Sequence, residues 1–208
     1  MATATPPLSL RADAERNRAR IVAAARGVIA RDGADARMDA IAREAGVGVG
    51  TVYRRFPTKE ALVASVLVEF ADATLEGISA AAGAPAPWTA FEGSLHALAE
   101  KLAENRGLLD ALEPEVRRSR PVLELRGRLL ATLEPVLSAA QDAGVVRTDV
   151  AVTDVLALAS LVTRLPAPVR ELEPRPWERL LVVVLDGLRP AHPASPLPGH
   201  PLPRELRC

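Results

Sequence analysis

The sequence predicts an all-α protein with two helical domains. Apolar residues recur at the 3.6-residue period of an amphipathic helix through most of residues 12–189. Glycine and proline fall between these periodic segments, where they end one helix and begin the next. No set of strands with alternating polar and apolar residues is present, and 208 residues are enough to form a sizeable core.

The first predicted helix covers residues 12–31. Its apolar face consists of Ile21, Val22, Ala25, Val28 and Ile29. Gly33 follows it and suits a left-handed helix end. Two short helices are expected next, over about 38–45 and 49–56, with Gly46 between them.

Thr58 is a suitable N-cap for a long helix over about 59–81. Five more helices are expected beyond Gly83, over about 88–103, 108–118, 121–143, 153–165 and 176–188. The last nineteen residues contain six prolines and predict a disordered tail. The expected organisation is a flexible arm (1–11), a first domain (12–57), a second helical domain whose first helix links the two (58–189) and the Pro-rich tail (190–208).

The charge of the chain is unevenly distributed. The formal net charge is zero, yet residues 1–60 hold eleven Lys or Arg against seven Asp or Glu, a net +4 that the remainder cancels. This asymmetry favours a polyanion partner for the first domain. For Arg16, Arg18 and Arg20, contact with a nucleic-acid backbone and an ordinary solvated face are equally good interpretations.

Residues 38–56 have the pattern of a helix–turn–helix. Ala42, four residues before Gly46, is small enough for close helix approach, and the expected internal core is Ile41, Ala45, Val47, Val52 and Phe56. The other face of the second helix presents Thr51, Tyr53, Arg54 and Arg55, which suit phosphate and base-edge contacts. Lys59 adds a cation at the next helix start.

From residue 12 to about 62 the sequence resembles the DNA-binding domain of TetR-family bacterial transcriptional regulators. The segment AREAGVGVGTVYRRFPTKEAL, residues 42–62, carries the family pattern. That pattern is Ala, two spacers, Ala-Gly-Val, then Gly-Thr-hydrophobic-Tyr, then Phe, then Lys-Glu and Leu. The likeness covers about a quarter of the chain, and the all-helical remainder agrees with it.

The resemblance implies DNA-contacting roles for particular residues. Val49, Gly50 and Thr51 would approach bases or backbone in the major groove, and Tyr53, Arg55 and Lys59 would contact phosphates. Gly48 offers only its backbone N–H where the family often has Ser, and Arg55 stands where His is common. Arg54 is a candidate for base contact, and Arg37 could contact a base or a phosphate.

The two last predicted helices are apolar over most of their surface, so they need cover on several sides. Burial within the domain and pairing with a second copy in a four-helix bundle both provide it. The resemblance favours the homodimer, and the predicted interface residues are Val155, Leu158, Leu161, Val162, Trp177, Leu180, Leu181, Val184 and Leu188.

The middle helices would enclose an effector pocket, if the resemblance extends to them. The candidate lining residues are Phe70, Trp88, Phe91 and His96. The simpler alternative is that the aromatic residues are ordinary core and that His96 is a core or surface histidine.

We therefore expect a homodimeric, ligand-responsive transcriptional repressor that binds a palindromic DNA operator and is released by a small-molecule effector. The alternative is an all-α small-molecule carrier or enzyme with an incidental helix–turn–helix. No catalytic residue set, cofactor or metal site is expected, and Cys208 is the single cysteine. Without a secretory signal or a 20-residue apolar run, a cytoplasmic protein without membrane contact is expected.

Overall fold

The computed structural model describes residues 8–110, 120–166, 169, 173, 175–190 and 195–203. Within these ranges the regular elements are helices, and no strand occurs, which confirms the all-α prediction. They are α1 (Leu8–Asp32), α2 (Met38–Ala45), α3 (Val49–Arg55), α4 (Lys59–Ala82), α5 (Pro87–Glu104), α6 (Arg106–Asp110), α7 (Arg120–Asp142), α8 (Val152–Val162) and α9 (Pro176–Leu188). A short 3-10 turn, Gly33–Asp35, follows α1.

Several helix boundaries differ from those predicted; for example, α8 ends at Val162 rather than near residue 165. Helix α1 begins at Leu8, inside the expected flexible arm 1–11, because no proline or glycine interrupts the chain between Leu8 and Ala12. The helix expected over 108–118 is described only as α6, and its remainder lies outside the described residues.

The chain forms two compact units. The first comprises Met1–Glu69 with Gly107–Val122, and the second comprises Phe70–Arg106 with Leu123–Cys208. The boundary predicted at residues 57 and 58 lies inside the first unit, because α4 contributes its first part to that unit and its remainder to the second.

The core of the first unit forms where α2 packs on α1 and α3 packs on α2. The predicted apolar face of α1 is buried there, together with Ile41, Val52 and Leu62. Gly107 lies so close to α1 that a Cβ on it would stand 2.6 Å from the Ala30 carbonyl oxygen. A glycine is therefore required at this contact.

In the second unit, α5, α8 and α9 pack on one another. The buried side chains are large and apolar, and they include Phe91, Leu95, Leu98, Leu156 and Leu181. Arg106 closes one end of this core by donating to the carbonyl oxygens of Thr163 and Leu165.

The described part of the predicted Pro-rich tail contacts the rest of the second unit. Residues 195–203 have no regular secondary structure, with a bend at Gly199, and they are hydrogen-bonded to earlier residues of the unit at three points. The partners, Arg147, Asp149 and Asp154, lie about fifty residues earlier in the sequence, so no local pattern indicates these contacts.

Among the described residues, no helix combines the length and apolarity needed to cross a bilayer. Nor does that part of the chain gather three or more His, Cys, Asp or Glu side chains where they could hold a metal ion. Cys208 lies outside it.

Candidate nucleic-acid interface

The turn between α2 and α3 is built on Gly46. Its φ of 64° is left-handed, a conformation that glycine adopts without steric cost. The Val47 N–H donates to the Ala42 carbonyl oxygen at 3.0 Å, and the Gly46 N–H donates to that of Arg43 at 3.2 Å. These two bonds form a Schellman motif, which satisfies the last carbonyl groups of α2 and sets the direction in which α3 leaves.

Arg20 of α1 hydrogen-bonds to this turn and so connects it to the first helix of the unit. Its Nη2 atom donates to the Ala45 carbonyl oxygen at 2.6 Å and lies 3.4 Å from that of Gly46. A cation at a helix C-terminus also interacts favourably with the helix dipole. Arg20 therefore positions the turn, a role that no local sequence pattern indicates because the partners are 25 and 26 residues away.

The neighbouring arginines of α1 are also engaged within the unit. Arg16 pairs with Asp13, and Arg18 lies 4.0 Å from Glu69 with its guanidinium 5.9 Å from the Phe56 ring centre. These ion pairs are partly or largely exposed, so both interpretations of Arg16 and Arg18 stay open.

Helix α3 has one buried side and one open side. Val52 is fully buried, and Phe56, directly after the helix, is buried beside it. The open side carries Tyr53, half exposed, and Val49, 46% exposed. Because α3 is only two turns long, burying Val52 and Phe56 fixes the outward direction of the other side chains.

The guanidinium groups at this surface are held by nearby side chains. Arg54 Nη2 lies 3.5 Å from Thr51 Oγ1, and Arg55 Nη2 lies 3.2 Å from Glu15 Oε1 of α1. Arg37, just before α2, is 80% exposed, and its Nε atom lies 3.3 Å from Asp39 Oδ1. These contacts are solvent-exposed, so exchanging them for phosphate contacts costs little.

Helix α4 begins with the predicted cap. The Ala61 N–H donates to Thr58 Oγ1 at 3.2 Å, which places Lys59 and Glu60 in the first turn. Hydrogen bonds from the Glu60 backbone N–H and from the Thr58 hydroxyl lower the pKa of the Glu60 carboxyl. Lys59 adds a cation in the same turn, at the N-terminus of α4.

The predicted DNA-contacting residues are thus brought together. Gly48, Val49, Gly50, Tyr53, Arg54 and Arg55 are exposed on or beside α3, and Thr51 and Lys59 are partly exposed. Arg37 stands apart at the start of α2. Whether each residue touches DNA stays a prediction.

The structure describes the surroundings of the four predicted effector-pocket residues. Phe70 and Phe91 are buried core side chains. Trp88 lies under the guanidinium of Arg189 at 3.6 Å, and the exposed His96 packs edge-on against Trp177. A role for these residues in binding an effector stays a prediction.

The predicted dimer residues divide into two groups. Val155, Val162, Trp177, Leu181 and Leu188 are buried within this chain's own core. Leu158, Leu161, Leu180 and Val184 are partly or largely exposed. The sequence showed that both helices are apolar on several sides, and the structure shows which side the chain covers itself. The homodimer interface stays a prediction.

Comparisons with known proteins agree with this architecture. Residues 21–66 match the family model described as bacterial regulatory proteins, tetR family. Residues 86–190 match the model described as transcriptional regulator SbtR-like, C-terminal domain. No protein of curated function matches the chain.

Several solved structures are similar over most of their length. A TetR transcription regulatory protein from Mycobacterium vanbaalenii is 38% identical with a TM-score of 0.62, covering 87% of this chain and 99% of that one. A TetR transcriptional regulator from Streptomyces coelicolor is 32% identical with a TM-score of 0.63, covering 84% and 99%. A transcriptional regulator from Rhodococcus sp. Rha1 is 25% identical with a TM-score of 0.64, covering 82% and 95%.

The matched segments include the helix–turn–helix with its exposed α3 surface and, in the second unit, residues 86–106 and 123–190. Two of these relatives, at 32% and 38% identity, are named as TetR transcriptional regulators. The chain therefore belongs to the TetR family of bacterial transcriptional regulators.

Proposed function

We propose that the chain is a homodimeric repressor that binds a palindromic operator and leaves it when a small molecule binds the second unit. The observation that carries the proposal is the open side of α3. Tyr53, Arg54 and Arg55 point away from a buried core, on a helix held by the turn at Gly46. Such a helix fits a DNA major groove, with its cations near phosphates.

A dimer would supply what one short helix lacks. Helix α3 has only seven residues, so a single copy makes few base contacts. Two copies related by a two-fold axis would read two half-sites about 34–36 Å apart, which makes the operator a palindrome.

The second unit supports the dimer with two exposed stripes at helical spacing. On α8 the stripe is Asp154, Ala157, Leu158 and Leu161, and on α9 it is Leu180, Val183, Val184 and Gly187. Each follows the i, i+3, i+4, i+7 pattern of a helix-packing face. Leu161 is 64% exposed and Val183 is 66% exposed, so most of this apolar surface needs a partner.

Effector release is supported by the path of α4. The helix begins beside the proposed DNA surface at Lys59 and continues into the second unit from Phe70 onward. A molecule that displaces α4 would change the distance between the two recognition helices. Coupling of this kind is typically worth about 1–3 kcal/mol, or about 5–150-fold in affinity.

Selection from random DNA tests the proposal and identifies the operator in the same experiment. The full chain should enrich a palindrome with half-site centres about 10–10.5 base pairs, or a multiple of that, apart. The Tyr53→Ala, Lys59→Ala double variant should enrich nothing, while Arg128→Ala on α7, which also removes an exposed cation, should select the same sequence. Enrichment of a single asymmetric site by the wild type would contradict the dimeric part. Equal enrichment by the double variant would contradict the α3 surface.

A further inference from the structure

The C-terminal segment 195–203, which we call the strap, repeats the triplet Pro-Leu-Pro at 196–198 and 201–203. Within each triplet the leucine has the only backbone N–H, because proline has none. The Leu197 N–H donates to Asp149 Oδ2 at 3.2 Å, and the Leu202 N–H donates to Asp154 Oδ1 at 3.3 Å. The spacing of five residues between the leucines equals the spacing between the two aspartates.

The strap has a third anchor and is therefore fixed along its length. Arg147 Nη2 donates to the Ser195 carbonyl oxygen at 2.6 Å. The same guanidinium donates to both oxygens of Asp149, at 2.6 and 2.8 Å, so one ion pair holds the start of the strap. The match to the TetR C-terminal model ends at residue 190, so the strap is an addition to the matched domain.

The strap forms one wall of a groove on the second unit. The groove has a volume of about 620 Å³, and its other walls are the outer faces of α8 and α9, with Leu158, Leu161 and Val184 among the lining residues. Leu197 and Leu202 line it from the strap and are still nearly half exposed. The polar groups Arg147, Asp149 and Asp154 are bonded to the strap. His200 is a further polar side chain in the lining, and the other lining residues are mainly apolar.

The occupant most consistent with this surface is a second copy of the chain. The groove includes Leu158, Leu161, Val184 and Gly187, which belong to the two exposed stripes of α8 and α9. A small molecule in the groove would leave Leu180 and Val183 of those stripes uncovered, because neither lines it. In a two-fold dimer the stripes of one subunit pack against the same stripes of its partner. One apolar helix face of the partner would then cover both the groove and the stripes.

We propose that the strap is part of the dimer interface and that the groove it walls receives a helix face of the partner subunit. The inference rests on the proposed homodimer and adds to it: each subunit would contribute α8, α9 and its own strap. The prolines restrict the backbone of each triplet, while Asp149 and Asp154 fix the position of Leu197 and Leu202, so the two leucines add apolar contact at the edge of the bundle.

The test compares full-length variants by sedimentation velocity over a range of concentrations. Leu197→Asp with Leu202→Asp places two charges in the groove and repels Asp149 and Asp154. It should raise the dimer dissociation constant by about tenfold or more. Leu123→Asp on α7, an equally exposed leucine outside the groove, should leave the dissociation constant unchanged, and circular dichroism should show that both variants fold.

A glycine pair distinguishes failure of the strap from failure of the dimer. Gly187 lines the groove, Gly127 does not, and a Cβ at either position would meet nothing within 4 Å. Gly187→Phe should fill the groove and abolish the dimer, whereas Gly127→Phe should not. A dimer that is lost in Gly187→Phe but unchanged or tighter in the strap variant overturns the inference and leaves the proposed function standing. A wild type that is monomeric throughout overturns both.

Discussion

At the scale of single residues, the side of α3 that meets solvent could be predicted because one helical turn separates Val52 from Phe56. Burying both leaves a single direction for Tyr53 and Arg54. The role of Arg20 could not be predicted, since no local pattern links it to carbonyl groups at residues 45 and 46. Contacts distant in sequence need the fold before they can be recognised.

Replacing Arg20 with methionine should destabilise the first unit. The substitution keeps most of the apolar stem and removes the donors to the Ala45 and Gly46 carbonyl groups. A hydrogen bond from a charged group is worth about 1.5–3 kcal/mol, and the exposure of Arg20 reduces this to about 1 kcal/mol. Urea denaturation should show the loss. Arg31→Met is the control, because Arg31 bonds only to the neighbouring Asp32 among the contacts described. Equal stability of the two variants would contradict the positioning role.

The strap contacts should persist to low pH. The Arg147 guanidinium lowers the pKa of Asp149 from 3.8 to about 2, with help from the Leu197 N–H. A carboxyl whose folded pKa lies below its unfolded value stabilises the folded state above the unfolded pKa. The contribution is therefore complete above about pH 4 and is lost as the pH falls toward 2. Carboxyl carbon NMR shifts should give this midpoint in the wild type and an ordinary value in Arg147→Met. An ordinary value in the wild type would contradict the contact.

At the scale of elements, helix positions follow from sequence periodicity, whereas the covered side of a helix does not. Helices α8 and α9 are apolar on two sides. The i, i+3, i+4, i+7 stripes that contain Leu158 and Val184 can be distinguished from the buried sides of the two helices only once Val155 and Leu181 are known to lie in the core. The position of segment 195–203 could not be predicted either, because it depends on hydrogen bonds to Asp149 and Asp154, which lie about fifty residues earlier in the sequence.

The contact of α6 with α1 gives a test at this scale. Alanine at position 107 would place a Cβ 2.6 Å from the Ala30 carbonyl oxygen and 2.8 Å from its Cα atom. The backbone must then shift, at a cost of about 1–3 kcal/mol. Gly27→Ala in α1 meets open space and should instead stabilise the helix by up to about 1 kcal/mol. Thermal denaturation of both variants should show shifts of opposite sign. A Gly107→Ala midpoint at or above that of the wild type would contradict the close packing.

At the scale of the whole molecule, a net charge of zero conceals two unlike segments. The first sixty residues carry +4 and the remainder carries −4, and the basic segment contains the recognition helix. Part of the positive charge is engaged within the unit, because Arg20 donates to the carbonyl groups of the turn between α2 and α3, and Arg16 and Arg18 lie near Asp13 and Glu69. The sequence thus indicates which unit meets DNA, and the structure narrows the residues available for that contact.

The proposed function depends above all on operator binding by the α3 surface through phosphate contacts. The affinity of the full chain for its selected operator, measured by fluorescence anisotropy over a series of salt concentrations, tests this dependence. Each phosphate that Lys or Arg neutralises contributes about −0.9 to the slope of log affinity against log salt, so a dimer in which both subunits engage Arg55 and Lys59 should give a slope steeper than about −3. Tyr53→Ala with Lys59→Ala should flatten the slope and remove specific binding while the dimer persists. A wild-type affinity independent of salt, or an unchanged slope in the variant, would contradict DNA binding through this surface.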